Sequence, residues 1–389
     1  MSRPRAGDTV RIEYHPGTDP ISAGTLLPGP PAVPSSVLTP GGAAPAEHGL
    51  RAEYWDNPDF EGDPVLVRIE PQVDLNRGFF DLGKGMSAAS KAPHTPQQLP
   101  GRISVRWSGV FTAPSSGEYT LSLASLGSAR LIVDESLLID ARHPAPVTTS
   151  SPPGAGQPVI GMVVSGLRST SATITLAAGE QRAVTIEYRA NAPEQSFFFK
   201  EGMVRWGWQP PPGTIAPSIA AAATLAHQSD VAIVVARTFE SEEMDRPNLR
   251  LPNEQDVLIR AVADANPRTI VVLMSGAPVE TASWEAGVPA ILEAWYAGQE
   301  QGNAVARVLF GDVNLAGKLP ITFRVTTPRR RSQLRHSTRV WTALCTTARA
   351  SSSATEATTR SVSRRSIPLA MVSAIRPSPT TTCDRAPTR

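Results

Sequence analysis

Cysteine is nearly absent from this 389-residue chain. It has two, Cys345 and Cys383, both close to the C-terminal end. Residues 1–323 can therefore hold neither a disulfide framework nor a thiolate metal site. The Asn-x-Ser/Thr acceptor of N-glycosylation does not occur. No apolar run reaches the roughly 18 residues that a membrane-spanning helix needs, so no membrane partner is expected. The N-terminus, M-S-R-P-R-A-G-D, lacks the apolar segment of a secretory leader. A cytoplasmic chain fits this, and so does a secreted one as part of a longer protein. Lysine is missing from the last stretch. Residues 324–389 carry 13 Arg, no Lys, and only Glu356 and Asp384 as acids. The net charge of +2 thus divides into +11 for this tail and −9 for residues 1–323. A basic tail is the usual footprint of nucleic-acid binding. This one has neither folded pattern nor periodicity, and no nucleic-acid partner is expected.

Proline is plentiful, at 37 residues, and clusters between patterned segments. The length suits two or three domains. Residues 10–14, V-R-I-E-Y, read as a short alternating strand. Residues 21–48 are rich in Pro, Gly, Ala and Ser and read as a linker. From residue 49 the texture changes to short alternating stretches parted by Gly, Pro, Ser and Asp. Examples are L-R-A-E-Y-W (50–55), I-S-V-R-W-S-G-V-F-T (103–112), G-E-Y-T-L-S-L (117–123), A-R-L-I-V-D (129–134) and A-V-T-I-E-Y-R (183–189). That is the pattern of an antiparallel sandwich with one wet face. After a second linker at 209–216 the period changes again. An Ala-rich helix at 219–227 precedes an apolar run at 231–236. A helix from about Asn253, taken as its N-cap, runs to Asn266-Pro267. T-I-V-V-L-M (269–274), a short apolar run at 291–296 and a helix at 299–309 follow. Strand and helix alternating at these spacings predict a mainly parallel sheet with helices on both faces.

The stretch at 231–247, V-A-I-V-V-A-R-T-F-E-S-E-E-M-D-R-P, carries the strongest chemical signal. An unbroken apolar run reads as a strand buried on both faces. Open α/β sheets place their chemistry beyond the carboxyl ends of such strands. Glu240, Glu242, Glu243 and Asp245 fall there. On the residues alone, the cluster is either a catalytic acid's loop or a solvated acidic turn before a helix.

Longer motifs bear on that choice. F-E-S-E-E-M-D-R-P-N-L-R-L-P (239–252), M-S-G-A-P-V-E (274–280) and A-W-Y-A-G-Q-E-Q-G-N-A-V-A-R-V-L-F-G-D-V-N-L-A-G-K-L-P-I-T-F (294–323) resemble the second domain of family 3 glycoside hydrolases, the β-glucosidase and β-xylosidase type. Within 49–209, the order Y-W, R-W-S-G, G-x-Y-x-L, V-D-x-x-L-L-I-D and I-x-Y-R resembles the protective-antigen-type ("PA-fourteen") β-sandwich, which some members of that family carry as an insertion. The implied fold is multidomain, α/β plus all-β: a mainly parallel α/β sandwich interrupted by an antiparallel β-sandwich insertion, with a disordered tail. The implied domains are 1–45, a first α/β segment with linker; 46–209, the inserted sandwich, either carbohydrate-contacting or a structural spacer; 210–323, the rest of the α/β domain; and 324–389, the tail. The implied activity is retaining hydrolysis of terminal β-linked sugars by two carboxylates. One is a nucleophilic Asp on a (β/α)₈ barrel preceding this region, which these residues do not include. The other is the acid/base, carried over to Glu240, with Glu242 as runner-up and Asp245 and Arg246 as support for the loop. No cofactor or metal is implied, and the partner is an oligosaccharide or β-glycoside. Taken alone the chain is expected to be inactive. The rival reading is a carbohydrate-binding module on a defunct hydrolase scaffold.

The family continues past the T-F of residues 322–323 into motifs that this chain lacks in its own frame. In a shifted frame, however, the codons of residues 366–379 permit G-H-G-L-S-Y-T-T-F-T-Y. Those of residues 350–359 permit G-I-F-V-G-Y-R-G-Y-D. Both are family-like. The tail is therefore read as frameshifted between about residues 323 and 336, with its positive charge and both cysteines as by-products. Resequencing the coding DNA is expected to reveal a lost or gained base in that interval; one intact frame throughout would overturn the reading.

Overall fold

The computed structural model describes residues 10–41, 47–76, 99, 102–142, 168–190, 202–240, 246, 248–315, 317–321 and 323. The tail from 324 onward lies outside them. The described part is mostly sheet with few helices.

Eleven strands come first: β1 (Leu38–Thr39), β2 (Leu50–Trp55), β3 (Leu66–Glu70), β4 (Asp74–Asn76), β5 (Ser104–Thr112), β6 (Gly117–Leu126), β7 (Ser128–Val133), β8 (Ser136–Asp140), β9 (Arg168–Leu176), β10 (Gln181–Arg189) and β11 (Met203–Gln209). They form two antiparallel sheets. One runs β3-β2-β5-β10-β7-β8, with β1 on β5; the other runs β4-β11-β6-β9. Alternation decides which side chains meet. Val105, Trp107, Phe111, Leu131, Ile186 and Tyr188 from the first sheet share a core with Tyr119, Leu121, Leu123, Trp206 and Trp208 from the second. Inside it, Glu70 accepts from Tyr54 Oη at 2.6 Å and from Trp107 Nε1 at 2.6 Å. This buried carboxylate is held by donors and not left bare, as its burial requires. The outer face of the first sheet is wet. One rung across it reads Glu53, Arg106, Glu187, Arg130, Asp140, with the charge alternating at every step. Glu187 pairs with Arg106 at 3.0 Å and with Arg130 at 3.4 Å.

The described residues from 210 onward make a three-layered α/β unit. It contains α1 (Pro217–His227), β12 (Ala232–Arg237), α2 (Gln255–Ala265), β13 (Thr269–Met274), β14 (Ala290–Glu293) and α3 (Gln301–Leu309). The three strands are parallel, in the order β12-β13-β14. On one face Ala232, Val234, Ala236, Val271 and Leu273 pack against Ile219 of α1 and Leu258, Ile259 and Val262 of α2. On the other, Ile270 and Val272 pack against Val305 and Leu309 of α3. β13 is covered on both sides, which is why its sequence is unbroken apolar.

Three local expectations change. Residues 10–14 form no strand; no described segment pairs with them, and Tyr14 is exposed. Asn253 does not cap α2. It adopts a left-handed backbone, as does Glu254, and its amide donates to the carbonyls of Asp19 and Pro20. The side chain is spent on a distant segment, so α2 starts at Gln255. The Pro-rich stretch at 21–41 is not a free tether, since Leu26, Leu27, Val33, Val37 and Leu38 are buried in it.

Arg205 of β11 explains that packing. It is almost wholly buried and pairs with Asp74 of β4 at 3.0 Å. It donates to the carbonyl of Leu27 at 2.9 Å and to that of Gly24. Asp74 in turn accepts from Ser22 Oγ at 2.6 Å. Replacing Arg205 by Met is expected to lower stability by about 3–5 kcal/mol, because it leaves Asp74 buried and unpaired. Urea unfolding followed by tryptophan fluorescence measures this. The double change with Asp74→Asn is expected to recover part of the loss.

Candidate functional site

In a parallel sheet all strands end at the same side. Here the ladders run to the limit of each strand: Arg237 is opposite Met274 and Leu273 is opposite Glu293. Thr238 N still bonds Met274 O at 3.1 Å, and Ala294 N bonds Leu273 O at 2.8 Å. The residues just beyond, Thr238 to Glu240, Ser275 to Gly276 and Trp295 to Tyr296, are thereby brought side by side. Gln255 clamps the end of β12 to α2. Its amide donates to Arg237 O at 2.8 Å and its carbonyl accepts from Arg237 N at 2.8 Å.

Glu240 lies at the centre, with 22% of its side chain exposed. Thr238 Oγ1 donates to its Oε1 at 2.9 Å. Arg246 Nε approaches the same oxygen at 3.4 Å. Arg246 also donates to Pro278 O at 2.6 Å, and its remaining Nη1 is buried with no hydrogen-bond partner among the described residues. Burial pushes the Arg246 guanidinium down from its ordinary value, and the negative charge of Glu240 opposes this. Tyr296 Oη donates to Thr238 O at 2.9 Å and lies 2.8 Å from Thr238 Oγ1. Burial raises the Tyr296 phenol, so it stays a neutral donor. Below the carboxylate is Gly276. A Cβ at that position would overlap Glu240 Oε2 and sit 3.0 Å from Tyr296 Cε2. The glycine leaves the room that the carboxylate fills.

A second carboxyl stands behind the first. Glu293 closes β14 and accepts from Ser275 Oγ, 3.3 Å from both oxygens, and from Trp295 N at 2.9 Å. Burial pushes its carboxyl up to about 7, the bonds from Trp295 and Ser275 hold it back, and the charge of Glu240 adds to the rise. Trp295 takes a left-handed backbone, unusual for a bulky residue. Its ring meets Phe323 edge-on at 6.2 Å, and its carbonyl accepts from Gln301 at 2.6 Å.

Of the residues singled out from sequence, Glu240 and Arg246 come together here. Glu242 and Asp245 lie outside the described residues. Thr238, Gly276, Glu293 and Tyr296 were not singled out. Gly276 sits in the turn of M-S-G-A-P-V-E, separated by one residue from the end of an apolar run, and Glu293 directly follows one at the start of E-A-W-Y; that position was the available signal. Among the described residues no three His, Cys, Asp or Glu side chains gather as metal ligands. The arrangement can hold and move a proton at Glu240, between a cation and a chain of neutral donors.

Residues 113–354 match the glycosyl hydrolase family 3 C-terminal domain. A β-glucosidase of Rhizobium radiobacter is 33% identical over 281 residues, 70% of this chain and 30% of that protein. Beta-glucosidase B of Emericella nidulans is 28% identical over 305 residues, 71% of this chain and 35% of its own. Among solved structures, the β-glucosidase of Kluyveromyces marxianus in complex with glucose is similar at 26% identity. That match covers 81% of this chain and 34% of that one, with a TM-score of 0.43. The chain thus spans about a third of the length of these relatives. With the matched region covering most of the chain and containing every residue of the site, the protein belongs to glycosyl hydrolase family 3.

Proposed function

We propose that this chain carries the acid/base half of a retaining, β-glucosidase-like glycosidase, with Glu240 as the acid/base. The observation that carries the reading is the Glu240 carboxylate itself. It stands at the carboxyl ends of three parallel strands, partly open, and is fixed by Thr238 and Arg246 over a glycine. In the first step Glu240 gives a proton to the leaving glycosidic oxygen. In the second it takes one from the water that attacks the glycosyl intermediate. Thr238 and Tyr296 keep the carboxylate aimed, and Arg246 stabilises it once the proton has left. Glu242 is the second candidate, in the same loop, and Asp245 supports the loop. The nucleophile belongs to a barrel that these residues do not include, so the chain supplies one carboxylate of two. Residues 46–209 are proposed as a protective-antigen-type module inserted in the α/β domain. Its first part is 1–45 and its second 210–323, and the module shapes the entrance and contacts sugar. The two antiparallel sheets with one shared core support this.

The 389-residue chain alone is expected to give no hydrolysis of an aryl β-glucoside above background; robust turnover would place the nucleophile within it. Joined to a family barrel, Glu240→Gln is expected to lower kcat/KM by about 10²–10⁴-fold for glucosides with poor leaving groups. Activated aryl glucosides, which need little proton assistance, are expected to lose far less. Equal losses across leaving groups, or the same pattern from Glu242→Gln instead, would remove the role from Glu240.

A further inference from the structure

Glu293 has no part in the two-carboxylate mechanism, yet it is built into the same site. Its position has two layers. In front are Glu240, Gly276 and Tyr296. Behind, each one residue along the chain, are Ser275 and Trp295, and both donate to Glu293. Ser275 is joined to the glycine under Glu240. Trp295 is joined to the tyrosine that holds Thr238, which donates to Glu240. A change at Glu293 therefore reaches Glu240 by two short routes, each a hydrogen bond to Glu293, one peptide step, and then the packing of Gly276 or the hydrogen bonds of Tyr296 and Thr238.

We infer that Glu293 is a second titrating carboxyl of the site, a positioning residue that changes the hold on Glu240 when it loses its proton. This rests on the reading of Glu240 as the acid/base only for its catalytic meaning. Neutral, Glu293 leaves Glu240 as the carboxylate that Arg246 balances. Ionised, it sets a second negative charge behind the first and tightens its own bonds from Trp295 N and Ser275 Oγ, since hydrogen bonds to an ionised acceptor are shorter and stronger. The 275–276 turn and the 295–296 step are drawn toward Glu293 and away from Glu240. The groups facing this pair are few. From the end of β12 come Glu240, which acts on Glu293, and Arg237, which acts on Tyr296 together with Arg246 of the loop. β13 presents only the neutral Ser275. Folding raises this carboxyl from 4.5 to about 7. Its contribution to stability is therefore full below about 4.5 and is lost as pH rises through about 7.

The test uses the chain as it is and needs no turnover, so it stands apart from the acid/base assignment. The backbone amide of Trp295 donates to Glu293 Oε1 and reports its charge. In a ¹H–¹⁵N titration this amide is expected to move downfield with a midpoint near pH 7. Glu254, also raised to about 7, makes a bulk measurement ambiguous, which is why a single amide is read. Glu293→Gln is expected to flatten the curve. Glu240→Gln is expected to shift the midpoint down, by removing the neighbouring charge, and Ser275→Ala to shift it up, by removing a donor to the ionised form. A Trp295 amide that stays flat in the parent chain would overturn the inference, as would a midpoint unmoved by Glu240→Gln. Where Glu293→Gln fails to fold, the two other variants decide.

Discussion

Three parallel strands that stop within a residue of one another are the constraint on which this site depends. A parallel ladder has no hairpin to set its register. The register comes from what each strand buries, and β13, covered on both faces, leaves almost no freedom to slide. A slip of one residue would turn Val271 and Leu273 away from α2 and carry Ser275 away from Glu293. The chemistry at 238, 240, 276, 293 and 296 is therefore secured by apolar packing far below it, and no long polar network is needed to hold it.

At the site, charge is managed by arrangement and not by number. Glu240 is partly open and balanced by one buried guanidinium. Glu293 relies on neutral donors. Two carboxyls so near could not both ionise cheaply. Burial pushes the Glu293 carboxyl up to about 7, and the charge of Glu240 adds to the rise.

Much of this was legible beforehand, for physical reasons. The run 269–274 is apolar because helices cover β13 on both faces; 231–236 reads alike, but β12 is buried on one face only and Val235 is 46% exposed, against the expectation of a strand buried on both. Alternation in 183–189 marks a strand with one wet side. Glu240 could be singled out because it follows such a run within a longer motif. Glu293 could not. A single acid after three apolar residues looks the same whether it faces solvent or a buried serine, and only the fold brings β13 beside it. Tyr296 and Gly276 matter through residues far away in sequence. Asn253 misled because a good capping residue can be used elsewhere once a distant carbonyl is in reach.

The tether made by Arg205 has a consequence in time. It ties the carbonyls of Gly24 and Leu27 to a residue 181 and 178 positions further along. During synthesis the segment at 21–41 emerges before β11 and cannot reach its final seat until β11 has been made and laid beside β4. Contacts of such long sequence separation make folding slow, because loop closure must be completed before they contribute. The segment at 21–41 thus gains its full set of contacts only with β11 in place.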